Sequence, residues 1–467
     1  MDYNSILSEI KPGEEEINKV RVIVDRAIDF INNKAKEEGI NATAILVGSI
    51  AKGTWLSGAA DIDIFITFSL DISEEELKEK GLYLAYECNN GLGGIASEQY
   101  ASHPYLNSYI DGYNVDIVPS YKIEDGSQLK SAVDRTTLHT EYIIQHLKEE
   151  EKAEVLLLKK FMKEVGVYGS EFKVGGFPGY LCELLIIQYG TFENTLKNAS
   201  NWRAGTVVDL EDYKTSKLFK DDLIVVDPTD KNRNVAAALT PEKMAEFIAA
   251  SRNFIENPKE EYFFPIKRKE KSTKDLLDVF QERQTKTIAI SFNIPDISTD
   301  NIYPQLKKST MSLKEKLEEE GFTVLDGSYW SDEDKIAILI VELDTWILGK
   351  YELNVGPKIY YKKASEEFLK AHKGEAFLKD GYWTVKKERT IKTPENFIKH
   401  TFTEKNLHIL KIGKNLKETI VNSYKLYNIE EFLTNNNLNN LLNNKNKEEE
   451  FLNFLDDYLF PSQHLKR

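Results

Sequence analysis

Residues 46–68 read LVGSIAKGTWLSGAADIDIFITF, and this stretch decides the fold of the N-terminal part of the chain. An apolar run closes at Val47, Gly48-Ser49 follows, and after eleven further residues comes Asp61-Ile62-Asp63-Ile64-Phe65. On a strand, successive side chains point to opposite faces, so Asp61 and Asp63 project together while Ile62, Ile64 and Ile66 enter a core. Two carboxylates fixed side by side repel unless a divalent cation lies between them. Hard oxygen ligands on a shallow site suit Mg²⁺ that keeps waters and substrate phosphates. Gly48 lets a phosphate approach the backbone, and Ser49 offers it a hydroxyl and an amide. An Asp-x-Asp pair alone more often marks a solvent-facing strand edge; the Gly-Ser before it argues for a site.

A third carboxylate strengthens that reading. Asp116 stands in Tyr113-Asn-Val-Asp116-Ile-Val-Pro119, polar among apolar neighbours on a predicted strand. Two metal ions held by three carboxylates promote in-line attack of a hydroxyl on an α-phosphate, one activating the nucleophile and the other holding the departing pyrophosphate. Ala44–Val47 and Ile62–Phe68 read as short strands, and two more flank Asp111-Gly112, a pair suited to the positive φ angles of a type I′ turn. Residues 14–38 carry Ile17, Val20, Val24, Ile28 and Ile31 at three- and four-residue spacing, the stripe of an amphipathic helix laid over the sheet.

Further along, the pattern turns helical from about 150 to 260. Val155, Leu158, Phe161 and Met162 share one helix, Pro178 opens the apolar run Tyr180–Tyr189, and Thr240-Pro241 caps another helix that ends near Asn257-Pro258, a domain boundary. Beyond it, Lys286–Asn293 reads as a strand, Tyr303–Glu320 as a helix, Phe322–Ser328 and Lys335–Glu342 as strands, Lys363–Ala371 as a helix and Tyr382–Val385 as a strand. That order, βαββαβ, is common among RNA-binding modules and serves other purposes too. The Asn-rich stretch Asn428–Lys447 is expected to be a surface loop or partly disordered.

Bulk composition sets outer bounds. At roughly 150 residues per domain, 467 residues suggest about three units, and 41% hydrophobic with 29% charged residues is ordinary for a globular chain. Neither an export signal nor an eighteen-residue apolar run is present, so a cytoplasmic protein is expected. Cys88 and Cys182 form no C-x-x-C pair, which leaves no thiolate zinc site. A net charge of −15 speaks superficially against a nucleic-acid partner. Locally the balance reverses: Lys386–Lys417 holds nine Lys or Arg against three Glu. That excess marks either an RNA grip or a solvated face.

In these blocks the chain resembles the archaeal-type (class I) CCA-adding enzymes of the polymerase-β nucleotidyltransferase superfamily. The first block marks only the superfamily. Narrower ones are VDIVPSY at 115–121, KSAVDRTTLH at 130–139, EVGVYGSEFKVGGFPGYLCELLI at 164–186, VVDPTDKNRNVAAAL at 225–239 and PDISTDNIYPQL at 295–306. The resemblance implies an α+β chain with a polymerase-β-type nucleotidyltransferase head at 1–150, a helical central neck that recognises the nucleotide base at 151–260, and an α/β C-terminal body and tail that bind tRNA at 261–467. It implies addition and repair of CCA at the tRNA 3′ end from CTP and ATP, with Mg²⁺ and release of pyrophosphate. The acceptor and T arms of tRNA would be the parts gripped; assembly is left open, a homodimer included.

Residue by residue, the resemblance implies that Asp61, Asp63 and Asp116 hold the metals and that Gly48, Ser49, Lys52 and Thr54 surround the triphosphate. His139, Lys159 and Tyr168 would also lie at the nucleotide, and Arg233 would help read the base. Gly175 stands where the family places Arg, so no RNA contact is assigned there. Plainer readings stand beside these: His139 as a cap or packing residue at a helix start and Tyr168 as packing at a bend between glycines; Tyr360, Tyr361 and Trp383 are candidates to stack on bases, with aromatic core the plainer reading. Arg233, in a polar loop expected to enter an apolar helix, offers a planar fork to a base edge. Lys399, Lys405, Lys411 and Lys414 are the candidate RNA contacts within the basic stretch. Two alternatives remain: a small-molecule nucleotidyltransferase of the antibiotic-modifying kind, which has no need of some 200 further residues, and a non-catalytic RNA-binding protein with the same fold, which has no need of three carboxylates.

Overall fold

A computed structural model describes residues 1–100, 104–265, 271–434, 437–461 and 465. The chain forms two compact units, Met1–Lys267 with His464–Arg467, and Arg268–Gln463. The division expected at 150 therefore falls inside the first unit, and the boundary expected near 260 falls at Lys267.

The first unit opens with α1 (Tyr3–Ile10), capped by the Asp2 carboxylate, and α2 (Glu14–Glu37). Then come β1 (Ala42–Val47), the short helix α3 (Gly48–Lys52), β2 (Asp61–Phe68), α4 (Glu74–Leu92), β3 (Ile95–Tyr100), β4 (Pro104–Ile110) and β5 (Tyr113–Tyr121). The strands make one mixed sheet in the order β1-β2-β5-β4-β3, with β2 and β5 parallel and the other pairs antiparallel. Asp111 and Gly112 take φ of 48° and 92° between β4 and β5, as the hairpin expectation requires. Val20, Val24, Ala27 and Ile31 of α2 pack with Ile62, Ile64 and Ile66 of β2 in one core, whereas Ile17, expected on that stripe, is exposed. Beyond the elements expected from the sequence lie β3 and α4, the latter held by a Ser73–Glu76 capping box.

Next come α5 (Arg135–His146), α6 (Glu151–Glu164), α7 (Gly179–Tyr189) and α8 (Phe192–Ala199), then β6 (Thr206–Val208), β7 (Leu223–Asp227), β8 (Asp230–Asn234) and α9 (Pro241–Glu256). Their core is aromatic-rich, with Phe161, Phe177, Phe192, Phe247 and Phe263 fully buried. Ile6 and Ile10 of α1 belong to this helical core rather than to the sheet's, which ties the first residues of the chain to these helices. The segment 230–234 is a strand pairing with β7, not the loop expected from its polarity. No described helix is long and apolar enough to cross a membrane.

The second unit contains α10 (Thr273–Glu282), β9 (Lys286–Asn293), α11 (Thr299–Glu319), β10 (Thr323–Ser331), β11 (Ile336–Thr345), β12 (Tyr351–Lys358), α12 (Lys362–Ala371), β13 (Ala376–Lys379), β14 (Tyr382–Glu388), α13 (Pro394–Thr401), α14 (Lys417–Ser423), β15 (Lys425–Asn428), α15 (Ile429–Thr434), α16 (Asn437–Leu442) and α17 (Lys445–Leu459). Its four-stranded sheet, β10-β11-β9-β15, is covered on both faces. Leu339 and Val341 of β11 face one core and Ile338 and Ile340 the other, which explains that strand's unbroken apolar run. All six elements of the βαββαβ expectation are present, but β12 and β13 come between them and the last strand does not share the sheet of the first three. Tyr382–Val385 belongs to β14 of a separate three-stranded sheet, β12-β14-β13, and β15 completes the four-stranded one. The Asn-rich stretch, described outside 435–436, is helical because Leu433, Leu438 and Leu442 are buried there.

Candidate active site

The site grows from the end of β1. Parallel pairing sets Asp63 of β2 directly beside Asp116 of β5, and Asp61 stands two residues back on the same face of β2. Burial, then the charges of Asp116 and Asp61, push the Asp63 carboxyl up to about 7. Burial and Asp61 raise Asp116 as well, against a 2.6 Å hydrogen bond donated by Asn107. Three carboxylates thus crowd two neighbouring interior strands, and Asp63 and Asp116 are raised. Gly48 has φ of 74°, and a Cβ there would lie 2.1 Å from Asp63 Oδ2, so only glycine lets the chain turn into α3 past this carboxylate. Its amide donates to Thr140 Oγ1 at 3.2 Å.

Among the described residues no group of three or more Asp, Glu, His or Cys is closed into a metal cage. A hydrated, hard cation does not need one: Mg²⁺ is commonly held by one or two carboxylates together with substrate phosphates. The all-oxygen donor set and the raised carboxyls of Asp63 and Asp116 fit such an ion.

Behind α3 lies a buried ionic cluster. Glu183 of α7 is fully buried, with Lys52 Nζ 2.5 Å from Oε2 and Lys159 Nζ 3.0 Å from Oε1. Thr54 donates its hydroxyl to Oε1 at 2.5 Å, and Lys159 donates to the Thr54 carbonyl at 2.9 Å. Burial alone would raise Glu183, but Lys159, Lys52 and the hydrogen bonds from Lys52 and Thr54 outweigh it and hold the carboxyl down at about 2. Tyr168 joins from the side: a Cβ on Gly179 would lie 3.0 Å from its hydroxyl and 3.4 Å from Lys159 Nζ, so a bare residue at the start of α7 lets them approach.

A second buried carboxylate organises the opposite side. Asp227, at the end of β7, accepts from Arg233 Nη1 at 2.7 Å and meets His139 Nε2 at 2.9 Å, both through Oδ2. Its Oδ1 takes the Thr229 amide and hydroxyl, each at 2.9 Å, and the Tyr180 hydroxyl at 3.3 Å. Burial would raise this acid; His139, the Thr229 amide and Arg233 hold it well below the usual carboxylate range. Tyr180 links the two clusters, its ring stacked on His139 at 3.9 Å and lying 5.9 Å from Lys52 Nζ.

The structure therefore brings together the residues singled out in the first unit: Asp61, Asp63 and Asp116 with Gly48 and Ser49, the trio Lys52, Thr54 and Lys159 with Tyr168 alongside, and His139 with Arg233. Thr54 is fully buried and Lys159 is 2% exposed, so both act from behind the surface. Glu183, Asp227 and Tyr180 are not singled out by the sequence. Each acid is a lone charge in an apolar run, Tyr-Leu-Cys-Glu183-Leu-Leu and Ile-Val-Val-Asp227, and that anomaly is the signal the sequence offers. Gly175, where Arg was expected, has φ of 62° and a would-be Cβ 2.7 Å from Thr240 Cγ2, so a side chain does not fit. In the second unit Lys399, Lys405, Lys411 and Lys414 are all exposed. Tyr360 and Tyr361 are 84% and 64% exposed and so are not aromatic core.

Three family models match successive parts of the chain: nucleotidyltransferase domain at residues 26–139, tRNA nucleotidyltransferase, second domain, at 153–264, and CCA-adding enzyme, C-terminal domain, at 283–428. Among curated proteins, the chain is 45% identical over 466 residues to a CCA-adding enzyme of Methanothermobacter thermautotrophicus, covering 100% of this chain and 99% of the relative. A CCA-adding enzyme of Methanosarcina acetivorans is 35% identical, with 89% and 91% covered. One of Methanocaldococcus jannaschii is 40% identical, with 80% and 84% covered.

Proposed function

Because the chain belongs to the archaeal CCA-adding enzymes, a nucleotidyltransferase family, we propose that it adds and repairs CCA at the tRNA 3′ end by the residues assembled in its first unit. The observation that carries this is the pairing of Asp63 with Asp116 beneath the bare Cα of Gly48. Asp61, Asp63 and Asp116 would hold Mg²⁺, which supplies charge neutralisation for both the attacking and the leaving oxygens. Gly48 and Ser49 would receive the triphosphate on backbone amides and the Ser49 hydroxyl. Lys52, at the end of the same short helix, would face the phosphates with its ammonium held by Glu183. Thr54 and Lys159 would brace the Glu183 carboxylate that holds this ammonium, and Tyr168 would close the side next to Lys159. His139 and Arg233 would meet the nucleoside, with Arg233 turned to the base edge. The exposed lysines of the second unit would grip the acceptor and T arms of tRNA. We place this work in the cytoplasm, with CTP and ATP as substrates.

Incubation of the purified protein with tRNA lacking its CCA end, each nucleotide offered separately and then together, tests the reading. Sequencing should show C, C and A added in that order and nothing from UTP or GTP. Untemplated runs of a single nucleotide, or transfer to a small-molecule acceptor only, would refute it.

A further inference from the structure

We propose that Asp227 is a positioning residue for nucleotide selection: it fixes the guanidinium of Arg233 and the ring of His139 in one rigid frame against which the incoming base is read. This rests on the base-reading role given above to Arg233. Asp227 is fully buried, and its two oxygens already meet five polar partner atoms, two at Oδ2 and three at Oδ1. A carboxylate offers about four lone-pair sites, so none is left for substrate or metal. Whatever Asp227 does, it does through its partners.

Those partners come from separate elements: His139 from α5, Tyr180 from α7, and Thr229 and Arg233 from the β7–β8 hairpin. One acid therefore ties the hairpin that carries Arg233 to the helix that carries His139. Among the described residues Asp227 is the one ion-pair partner of Arg233, and it engages only Nη1. The remaining donors of the planar fork stay available at a side chain 33% exposed, with their direction set by the bond to Asp227. An unanchored arginine would spread over several rotamers. Held at one nitrogen, it presents one donor pattern, and discrimination between base edges needs a fixed pattern.

Asp227→Asn keeps the shape and removes the charge. Because donors surround both oxygens, the new NH₂ group must oppose at least one N–H. Single-nucleotide incorporation onto tRNA ending in C and in CC should show the KM for CTP and ATP raised at least about tenfold, the scale of one missing charge-assisted hydrogen bond. Discrimination against UTP and GTP should fall, with kcat changed much less. In the Asp227→Asn/Arg233→Ala double variant, discrimination should be no worse than in Arg233→Ala alone, since both changes remove one device. Should Asp227→Asn fail to fold, judged by its melting transition, Thr229→Val, which removes one of the hydroxyl donors to Oδ1, should shift KM and selectivity in the same direction by less. Unchanged KM and selectivity in the folded variant, beside an altered Arg233→Ala, would overturn the positioning role alone. If Arg233→Ala is itself unaltered, the base-reading role fails instead. An additive double variant would show that Asp227 works apart from Arg233 and would overturn the proposal as well.

Discussion

Lys52 Nζ lies 2.5 Å from Glu183 Oε2, an ion pair between the short helix that follows the glycine turn and the middle of the apolar helix α7. With Lys159 on the other oxygen, one buried acid balances two buried ammonium groups. Removing a partner from such a cluster leaves an uncompensated charge, which costs about 3–5 kcal/mol. Glu183→Ala should therefore lower unfolding stability by that order in a denaturant titration. The sign with pH is set by a folded-state value of about 2 against an ordinary 4.5. The depressed acid stabilises the fold above pH 4.5, and that contribution disappears as pH falls toward 2. A Glu183→Gln variant with wild-type stability across this range would remove the cluster from the account.

Asp63 gives the opposite sign. Its carboxyl is pushed up to about 7 from 3.8 by burial and its acidic neighbours. The folded state then holds a proton that the unfolded chain releases, so without a cation this group's contribution to stability falls as pH rises from 3.8 to about 7. A divalent cation replaces the proton. Added Mg²⁺ should raise the melting temperature more at about pH 8 than at about pH 6, and nucleotide incorporation should fall as pH drops below about 7. An equal Mg²⁺ shift at both pH values would contradict the carboxylate assignment.

Gly48→Ala puts a methyl group into the Asp63 carboxylate and forces an L residue to a φ of 74°. Incorporation should fall at least about a hundredfold, the effect of misplacing reacting groups by about an ångström. Near-normal turnover would show that the glycine turn does not position Asp63.

The exposed lysines of the second unit make a separate prediction. Lys411 has an ion pair with Glu315 at 3.6 Å, but both side chains are more than half exposed, so the pair contributes little. Neutralising Lys399, Lys405, Lys411 and Lys414 together should weaken tRNA binding. The slope of log K against log salt should become shallower by about 0.9 for each phosphate that is no longer neutralised. Turnover at saturating tRNA should hold. A minihelix of the acceptor and T arms should be weakened to the same extent. Unaltered affinity and slope would mark these lysines as a solvated face.

Local periodicity makes β2, the hairpin at Asp111-Gly112 and the helices around Phe161 and Leu184 readable, because alternation and three-to-four spacing are properties of a single segment. What one segment does not contain is harder to read. That Asp63 sits beside Asp116 depends on parallel pairing across some fifty residues, which the strand patterns suggest as a shared site without fixing the register. Glu183 and Asp227 look odd in their apolar runs, yet their partners lie on other elements. In the second unit, burial of Leu438 and Leu442 makes helices of an Asn-rich stretch whose propensity argues against them. β12 hides for the converse reason. Tyr351, Leu353 and Val355 are its exposed face, so its apolar alternation marks no core.

The most direct test of the account is Asp63→Ala. With tRNA lacking CCA, CTP, ATP and Mg²⁺, incorporation should vanish while tRNA binding stays close to that of the unaltered protein, because this carboxylate is assigned to the metal and not to the RNA. Incorporation at a near-normal rate by a folded Asp63→Ala protein would contradict the central claim that Asp61, Asp63 and Asp116 form the catalytic metal site.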